Sequence, residues 1–557
     1  MLKLGRNAAT VDAAVAMLQK QGFIRRLLAR DPTLWKDDAH HAEIVRNRMG
    51  WLDAPGRMLD RTAELMRFAE AVRKDRIRHV VLLGMGGSSL CPDVLRRTFR
   101  RRPGFPALLV LDSTDPEAIG AVDRVIDRRR SLFIVASKSG TTIESQMLYQ
   151  YYREKSPAAR FVAITDPGTP LEETARREAF REVFVNPPDI GGRYSAHSYF
   201  GMVPAACMGL DVTRLLERGE SVMRSLRSGI SAADCHPVFL GAALGALGRV
   251  GRDKVTFVAP RRIAAFGYWV EQLIAESTGK EGTGLVPVEG ETLGPPARYG
   301  KDRVFIHLRL RGAPDAAERR RLSDLARAGH PVLSVDLQDL YDLGAEFSRW
   351  EIATAAAGSV LGIDPFDEPN VKESKDNTAR VLEQYRTTGA LPATEPVLTD
   401  PIRVWTTIDL PAPPRRGRED SLRLLLAGLC RSVRKGDYIA IMAYLKGDAP
   451  TTGRLHRLRM KLRDRCRAAT TVGFGPRFLH STGQLHKGGA GNGVFLQITG
   501  DKSIDLRIPG EPFSFGVLQA AQAAGDFISL AARGYRVVRV HLGPKRQQDL
   551  DRLIASL

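Results

Sequence analysis

The sequence predicts an α/β protein with two doubly wound parallel sheets and an N-terminal helical segment. Residues 1–70 repeat apolar positions at three- and four-residue spacing over 11–28 and over 63–72, which is the period of an amphipathic helix. From Arg78 short β-branched runs alternate with helix-like stretches, and a second such series begins at Lys254. This alternation is typical of parallel sheets covered by helices, which bind ligands at the carboxyl ends of their strands.

The chain of 557 residues is too long for one hydrophobic core, so two or three domains are expected. We place the N-terminal helical segment at residues 1–70, the first sheet domain at 71–246 and the second at 247–557. The second domain is expected to carry an insertion around 386–435. Residues 386 to about 420 are rich in Pro and Thr and then in Arg, as in a long loop or linker.

Each sheet domain contains a series of strand-like runs. In the first domain they are residues 80–83, 108–111, 132–136, 161–164 and 183–185. In the second they are the run from Lys254, 304–308, 332–335 and 438–443, and the runs 494–498 and 537–540 are expected to complete the same sheet. Helix-like stretches lie between the strands, as parallel crossovers require.

The composition indicates an ordinary soluble globular protein, with 43% hydrophobic and 26% charged residues. No apolar run of 18 residues occurs, which argues against a membrane span. The N-terminus lacks an apolar core with a cleavage site, so a cytoplasmic protein is expected. The five cysteines show no CxxC pairing, which favours reduced thiols over a disulfide framework or a zinc site.

The net charge of +20, from 83 Lys and Arg against 63 Asp and Glu, raises the alternative of a nucleic-acid binder. The arginines are spread through the chain, however, and no basic stripe with interleaved aromatics accompanies them. Solvated faces account for them more simply, and a positive field also attracts an anionic small molecule. No nucleic acid is therefore expected as a partner, and a steep salt dependence of DNA affinity would support the alternative.

Two buried strands end in loops of Gly, Ser and Thr, which are GMGGS at 84–88 and SKSGTT at 137–142. At such a βα turn, backbone N–H groups and hydroxyls can hold an anion at the N-terminus of a helix. Neither loop has the spacing of a nucleotide P-loop or of a dinucleotide fingerprint. The predicted phosphate-binding residues are Gly87, Ser88, Ser137, Lys138, Ser139 and Thr142.

These two loops resemble the phosphate-gripping loops of SIS domains, the sugar-isomerase fold. Two further motifs extend the resemblance to the glucose-6-phosphate isomerase family. The stretch GGRYS at 191–195 is similar to a family motif with an active-site arginine, which implies Arg193 together with Gly192. The stretch QLIAESTGK at 272–280 resembles the motif Gln-x-x-x-Glu-Ser-x-Gly-Lys, which implies Gln272 and, as general base, Glu276.

The position of Glu276 is informative apart from the resemblance. A helix is predicted over 266–275 with Gly279 as its C-cap, so Glu276 lies at the negative end of the helix dipole, which favours its protonated form. A carboxyl group with a raised pKa suits proton transfer near neutral pH. Most glutamates on helices are nevertheless solvated and idle, so residue type alone leaves both interpretations open.

Two more motifs complete the resemblance. The stretch PFDEPNVKESK at 365–375 is similar to the family's Pro-Phe-Asp-Gln-x-x-Val-x-x-x-Lys, which implies that Lys375 reaches the substrate. Glu368 stands where relatives have Gln and remains a further candidate. The stretch LHSTGQLHKGG at 479–489 contains His480 and Gln484 in the spacing of the family's ring-opening histidine. This stretch resembles most the isomerase half of bifunctional transaldolase/glucose-6-phosphate isomerase proteins, although no room remains for a transaldolase barrel.

In most relatives this histidine precedes the lysine of the preceding motif, whereas His480 follows Lys375. A rearranged second domain is therefore expected, and the subunit that supplies His480 is left open. Relatives are dimers with a shared site, so the resemblance implies a homodimer.

The resemblance implies reversible isomerisation of glucose 6-phosphate to fructose 6-phosphate through ring opening and a cis-enediol. Glu276 would carry the proton between C2 and C1, His480 with Lys375 would open the ring, and Arg193 would stabilise the enediolate. No metal or cofactor is expected, since no cluster of His, Asp and Glu shows ligand spacing. The alternatives are a broader glucose/mannose 6-phosphate isomerase and a phosphosugar-sensing SIS protein without chemistry.

Overall fold

The structure is a computed structural model of the chain. It describes residues 2–392, 395–399, 402–408 and 418–557. The N-terminal segment contains a short strand and five helices: β1 (Leu2–Lys3), α1 (Ala8–Lys20), α2 (Phe23–Leu28), α3 (Ala39–Arg46), α4 (Ala54–Leu59) and α5 (Thr62–Lys74). The predicted helical character of this segment is thus correct. The strand β1 was not predicted, and it pairs antiparallel with a strand more than 300 residues further on.

The first sheet is fully parallel, with strand order β3-β2-β4-β5-β6. Its strands are β2 (His79–Gly84), β3 (Ala107–Leu111), β4 (Ser131–Ala136), β5 (Phe161–Thr165) and β6 (Glu182–Val185). Its helices are α6 (Leu90–Thr98), α7 (Pro116–Val125), α8 (Ile143–Arg153) and α9 (Pro170–Arg177), followed by α10 (Tyr199–Cys207), α11 (Val212–Arg227) and α12 (His236–Arg249). The central strand β4 is buried along its whole length, as expected for a sheet covered on both faces.

The second sheet has the order β1-β10-β9-β7-β8 and is parallel except for β1. Its other strands are β7 (Lys254–Val258), β8 (Val286–Val288), β9 (Arg303–Leu310) and β10 (Val332–Leu337). The accompanying helices are α13 (Phe266–Thr278), α14 (Ala316–Arg327), α15 (Leu343–Leu361) and α16 (Val371–Thr388). Gly279 is the C-cap of α13, as predicted.

A third sheet follows, with the order β11-β15-β14-β12-β13. Its strands are β11 (Arg403–Thr406), which is antiparallel, β12 (Tyr438–Ala443), β13 (Ala469–Phe474), β14 (Gly493–Gly500) and β15 (Arg536–Leu542). The helices α17 (Arg418–Ser432), α18 (Ala449–Cys466), α19 (Gly483–Gly488), α20 (Phe515–Ala532) and α21 (Arg546–Ala555) lie between and after them. None of the helices in the described ranges has the length and apolar character that a bilayer crossing needs.

The α/β class with parallel sheets is confirmed, but the described residues form three sheets and not the two predicted. The assignment of residues 438–443, 494–498 and 537–540 to the second sheet is wrong. Residues 494–498 belong to β14 and residues 537–540 to β15, and β14 lies between β15 and β12 in the third sheet. The second sheet ends instead at β8, a short edge strand that contains Pro287. A proline lacks the backbone N–H that a further strand would need, so this edge is a poor place for extension.

The predicted division into 1–70, 71–246 and 247–557 remains a prediction. The expected insertion around 386–435 falls partly on residues 393–394, 400–401 and 409–417, which lie outside the described residues. Within the described part, α16 continues to Thr388 and α17 begins at Arg418, so helix borders this stretch on both sides.

Candidate active site

A cavity of about 650 Å³ lies where the carboxyl ends of β2 and β4 face the last turn of α13. Its volume is in the range of small-molecule sites. Of the predicted site residues, only Ser137 does not line this cavity. Those that do are Gly87, Ser88, Lys138, Ser139, Thr142, Gly192, Arg193, Gln272, Glu276, Lys375 and His480. The three sheets thus contribute to one cavity, and the motifs that were widely separated in the sequence converge there.

The hydroxyl-rich loop after β4 is held together by its own side chains. Ser137 is buried, and its hydroxyl lies 2.9 Å from Oγ1 of Thr142, while the Ser139 and Thr141 hydroxyls are also 2.9 Å apart. Ser137 therefore supports Thr142 from behind, whereas Ser139 and Thr142 reach the cavity wall. The Lys138 ammonium is bonded to Asp166 and donates to the Pro188 carbonyl at 2.9 Å, so its charge is already partly compensated.

Close backbone contact fixes the first glycine-rich loop against two other loops. A Cβ added at Gly87 would lie 2.0 Å from the carbonyl oxygen of Gly192. Gly86 has a φ of +53°, and a Cβ there would lie 2.7 Å from the carbonyl oxygen of His480. Only glycine permits both approaches, which bring Arg193 and His480 to the phosphate loop.

We expect Gly87→Ala to destabilise the fold by about 1–3 kcal/mol, because the methyl group overpacks a backbone contact that cannot yield without moving a loop. Gly192→Ala is the matched control, since a Cβ at that position meets no atom within 4 Å. Urea unfolding of both variants measures the difference. Equal free energies of unfolding for the two variants would show that the loops are free to separate.

Glu276 lies in the last turn of α13 and is largely buried. Gln272, one turn earlier, donates a hydrogen bond from Nε2 to Oε2 of Glu276 at 2.9 Å, and Nη1 of Arg193 lies 3.6 Å from Oε1. Burial raises the pKa of Glu276 above its ordinary value, and Arg193 only partly opposes this effect. The carboxyl group can therefore hold or release a proton closer to neutral pH than a solvated glutamate.

Arg193 is 2% exposed and fully engaged by the protein. Its Nε donates to Ser277 Oγ at 2.8 Å, and its Nη2 donates to the carbonyl oxygens of Pro365 and Asp367 at 2.7 and 2.8 Å. Its Nη1 lies 2.9 Å from Oε2 of Glu368, the residue left as a further candidate by the sequence. These bonds fix the plane of the guanidinium and leave its Nη1 side facing the cavity carboxylates.

His480 enters the cavity from a short helical turn between β13 and α19. Its Nε2 lies 2.8 Å from Oε1 of Glu144, and that oxygen also accepts from Nε2 of Gln522 at 2.7 Å. Burial alone would raise the pKa of Glu144, but the charge and hydrogen bond of His480 hold that pKa below its ordinary value. Glu144 is thus ionised, and it fixes the ring so that Nε2 carries a hydrogen and Nδ1 is left for exchange.

Lys375 lies on α16, and its side chain is exposed at the cavity wall. Its ammonium forms no hydrogen bond or ion pair with any residue that the structure describes, in contrast to Lys138. A lysine without an internal partner beside an enclosed polar cavity is available to a ligand.

Glu144 and Arg48 are among the residues of the cavity region that were not predicted. Glu144 lies two residues after the phosphate loop. A carboxylate so close to an anion site needs a cationic partner, and its position in the sequence was the one signal that could have identified it. Arg48 lines the cavity from the N-terminal segment, next to the bridge between Met49 and Ile190. No sequence motif marks Arg48, because its proximity to the cavity depends on this long-range contact.

Comparisons with known proteins identify related sequences. A family model described as phosphoglucose isomerase matches residues 62–288. The glucose-6-phosphate isomerase of Rubrobacter xylanophilus is 30% identical over 430 residues, which cover 66% of this chain and 95% of that protein. That of Heliobacterium modesticaldum is 28% identical and covers 68% of this chain and 95% of its own length.

Solved structures share the fold. A hypothetical protein from Thermus thermophilus superposes with a TM-score of 0.56 at 24% identity, over 70% of this chain and all of the other. A glucose-6-phosphate isomerase from Chlamydia trachomatis superposes with a TM-score of 0.52 at 18% identity, over 68% of this chain and 86% of the other.

Proposed function

The chain belongs to the phosphoglucose isomerase family, and from this premise we propose that it interconverts glucose 6-phosphate and fructose 6-phosphate in the cavity around Glu276. One observation carries the proposal above all. A buried carboxyl group with a raised pKa opens into the same cavity as two hydroxyl-rich loops that suit a phosphate. This arrangement supports a proton-transfer group at one end of a sugar phosphate and an anion-binding group at the other.

The phosphate end is proposed to bind at Ser88, Ser139 and Thr142, with the N–H groups of the two loops. Lys138, Gly87 and Ser137 complete this region, and Arg48 adds positive charge at the cavity wall. Binding energy gained at the phosphate orients the distant carbons C1 and C2 without itself taking part in the chemistry.

Ring opening is proposed for His480, with Lys375 beside it. The Nδ1 atom of His480 takes the proton from the hydroxyl at the anomeric carbon as the bond between that carbon and the ring oxygen breaks, and the imidazolium then gives the proton to the ring oxygen. Glu144 stabilises the imidazolium that forms, because it is a buried anion in hydrogen-bond contact with the same ring.

The hydrogen transfer is proposed for Glu276. Its carboxylate removes the proton from C2 of the open aldose, and the electron pair moves to form the cis-enediol while the oxygen at C1 takes up charge. Arg193 stabilises that charge from a fixed position. Glu276 then returns the proton to C1 as the C2 hydroxyl gives its proton to the oxygen at C1, which leaves a hydroxyl at C1 and the carbonyl of the ketose at C2. Glu368 moderates the field of Arg193, since it shares Nη1.

The direct test is a coupled assay that detects glucose 6-phosphate formed from fructose 6-phosphate without added metal. Turnover supports the proposal, and its absence in folded protein that still binds the sugar phosphate would favour the phosphosugar-sensing alternative. The same assay with mannose 6-phosphate as substrate decides whether the specificity is broader, because the phosphate loops do not distinguish the two aldoses.

Glu144→Gln is expected to lower kcat by about 10²-fold, because the amide keeps the hydrogen bond to His480 but not the charge that stabilises the imidazolium. The folded pKa of Glu144 lies below its unfolded value. The Glu144–His480 pair therefore stabilises the fold above the unfolded pKa, and this contribution is lost as the pH falls through the folded pKa. Acid unfolding of Glu144→Gln should accordingly be less pH-dependent in that window.

Glu173→Gln, on the exposed face of α9, is the control for both measurements. An unchanged kcat in Glu144→Gln would show that His480 needs no anionic partner.

We further propose a cytoplasmic homodimer, as the resemblance implies. Sedimentation of the purified chain tests the oligomeric state. The proposed chemistry does not require the dimer, since Glu276, Arg193, Lys375 and His480 of one chain line one cavity.

A further inference from the structure

We propose that His41, Asp364 and Asp367 bind a divalent transition-metal ion, with Zn²⁺ as the best match, at a structural site beside the active cavity. His41 lies on α3, and the two aspartates lie in the loop between α15 and α16. Each residue offers one ligand atom, and these three atoms lie within 4.8 Å of one another. This is the distance range from which small side-chain adjustments close a coordination sphere.

The histidine is already oriented for such a role. Its Nδ1 lies 2.7 Å from Oδ2 of Asp38, and its Nε2 faces Asp367, with Oδ2 of that residue 3.7 Å away. Asp38 is itself held in place, because its other oxygen accepts from the backbone N–H of His41 as the N-cap of α3. A carboxylate that fixes the far nitrogen of a histidine is the usual support of a metal-binding imidazole.

Asp364 provides an independent indication of a ligand. Its side chain is completely buried, and Oδ1 accepts the Phe366 N–H at 2.8 Å. Its Oδ2 accepts no hydrogen bond from any residue in the described ranges. A buried carboxylate oxygen without a donor is costly, and a cation removes that cost.

The charged side chains around Asp364 and Asp367 are compatible with a bound divalent cation. Lys280 is fully buried and bonds to Asp367, through the carboxylate and through its carbonyl oxygen at 2.5 Å, but forms no hydrogen bond with Asp364. The two aspartates and Lys280 thus carry a net single negative charge, and the nearby Arg193 is balanced by its ion pair with Glu368. One imidazole, two carboxylates and a water would make four nitrogen and oxygen ligands, which are donor types that Zn²⁺ accepts in a tetrahedral arrangement.

The site has a structural consequence for the active cavity. The loop that contains Asp364 and Asp367 also supplies the two carbonyl oxygens that accept from Nη2 of Arg193. An ion between this loop and α3 would fasten the N-terminal segment to the support of Arg193. The ion would act on stability and not on the isomerisation itself, so this inference does not depend on the proposed function.

The experiment uses the full chain after treatment with EDTA and dialysis. Co²⁺ is titrated in as a spectroscopic probe, its visible d–d absorption is recorded, and Zn²⁺ is then added to displace it. The variants are His41→Ala, Asp364→Asn and Asp38→Asn, and His40→Ala is the matched control because His40 is the exposed neighbour on the same helix.

We expect the wild-type chain and His40→Ala to bind Co²⁺ with equal affinity and with the intense absorption of a tetrahedral complex. His41→Ala and Asp364→Asn should lose that absorption, and Asp38→Asn should bind about 10- to 100-fold more weakly, because the support of the imidazole is then weakened. Thermal unfolding provides the second readout, since Zn²⁺ should raise the Tm of wild type and of His40→Ala but not of the two ligand variants.

Absence of binding by the wild-type chain would overturn the proposal, and this result does not depend on whether any variant folds. Identical Co²⁺ spectra in wild type, His41→Ala and Asp364→Asn would also overturn it, because the ion would then lie elsewhere.

Discussion

Glu276→Gln is expected to lower kcat by about 10²- to 10⁴-fold, the usual contribution of a general base. The amide is nearly isosteric and can still meet Gln272 and Arg193, but it cannot accept the proton from C2. Binding of inorganic phosphate should be nearly unchanged, since Ser88 and Thr142 are untouched. The coupled assay gives kcat, and calorimetric titration with phosphate gives the affinity.

Glu271→Gln is the matched control for this variant. Glu271 lies on the same helix, but it lines a separate cavity of about 360 Å³. Burial raises its pKa to about 8, so it is mostly protonated at neutral pH and an amide resembles it closely. Its kcat should therefore equal that of wild type. Retained turnover in Glu276→Gln would refute the assignment of the base, and a loss in both variants would point to a general disturbance of α13.

His480→Asn is expected to lower kcat on cyclic sugar phosphates by about 10²-fold or more, because the group that exchanges protons during ring opening is removed. His456→Asn, a change on α18 away from the cavity around Glu276, serves as the control and should leave kcat unchanged. Wild-type turnover in His480→Asn would show that ring opening needs no catalysis by this residue.

Mixing the two inactive variants tests which chain supplies the histidine. The structure places His480 and Glu276 of one chain in one cavity, so Glu276→Gln and His480→Asn should not rescue each other after joint refolding. A site shared between two chains would instead regain part of the wild-type activity, because some mixed dimers would carry one intact site.

Much of the cavity around Glu276 could be predicted because its residues belong to short, contiguous sequence motifs. The loops after β2 and β4 follow apolar strands that stop at Gly and Ser, and Glu276 precedes a helix-ending glycine. In each case the residues that define the position lie within a few places of one another, so the spacing carries the information.

The third sheet and the hydrogen-bond partners of several side chains could not be predicted in this way. Strand-like runs show that β14 and β15 are strands, but hydrophobic patterns do not say which strands pair. The contacts of Glu144 with His480 and of Lys138 with Asp166 join residues 336 and 28 positions apart. The cluster of His41, Asp364 and Asp367 likewise exists only after folding, which is why ligand spacing along the chain did not reveal it.

His480 follows β13 of the third sheet, so the residues proposed for the two chemical steps lie in different parts of the chain. The groups proposed for hydrogen transfer, Arg193 and Glu276, belong to the first half of the chain, whereas the histidine proposed for ring opening belongs to the last fifth. Substitutions in the C-terminal layer are therefore expected to affect the proposed ring opening more than the proposed enediol chemistry.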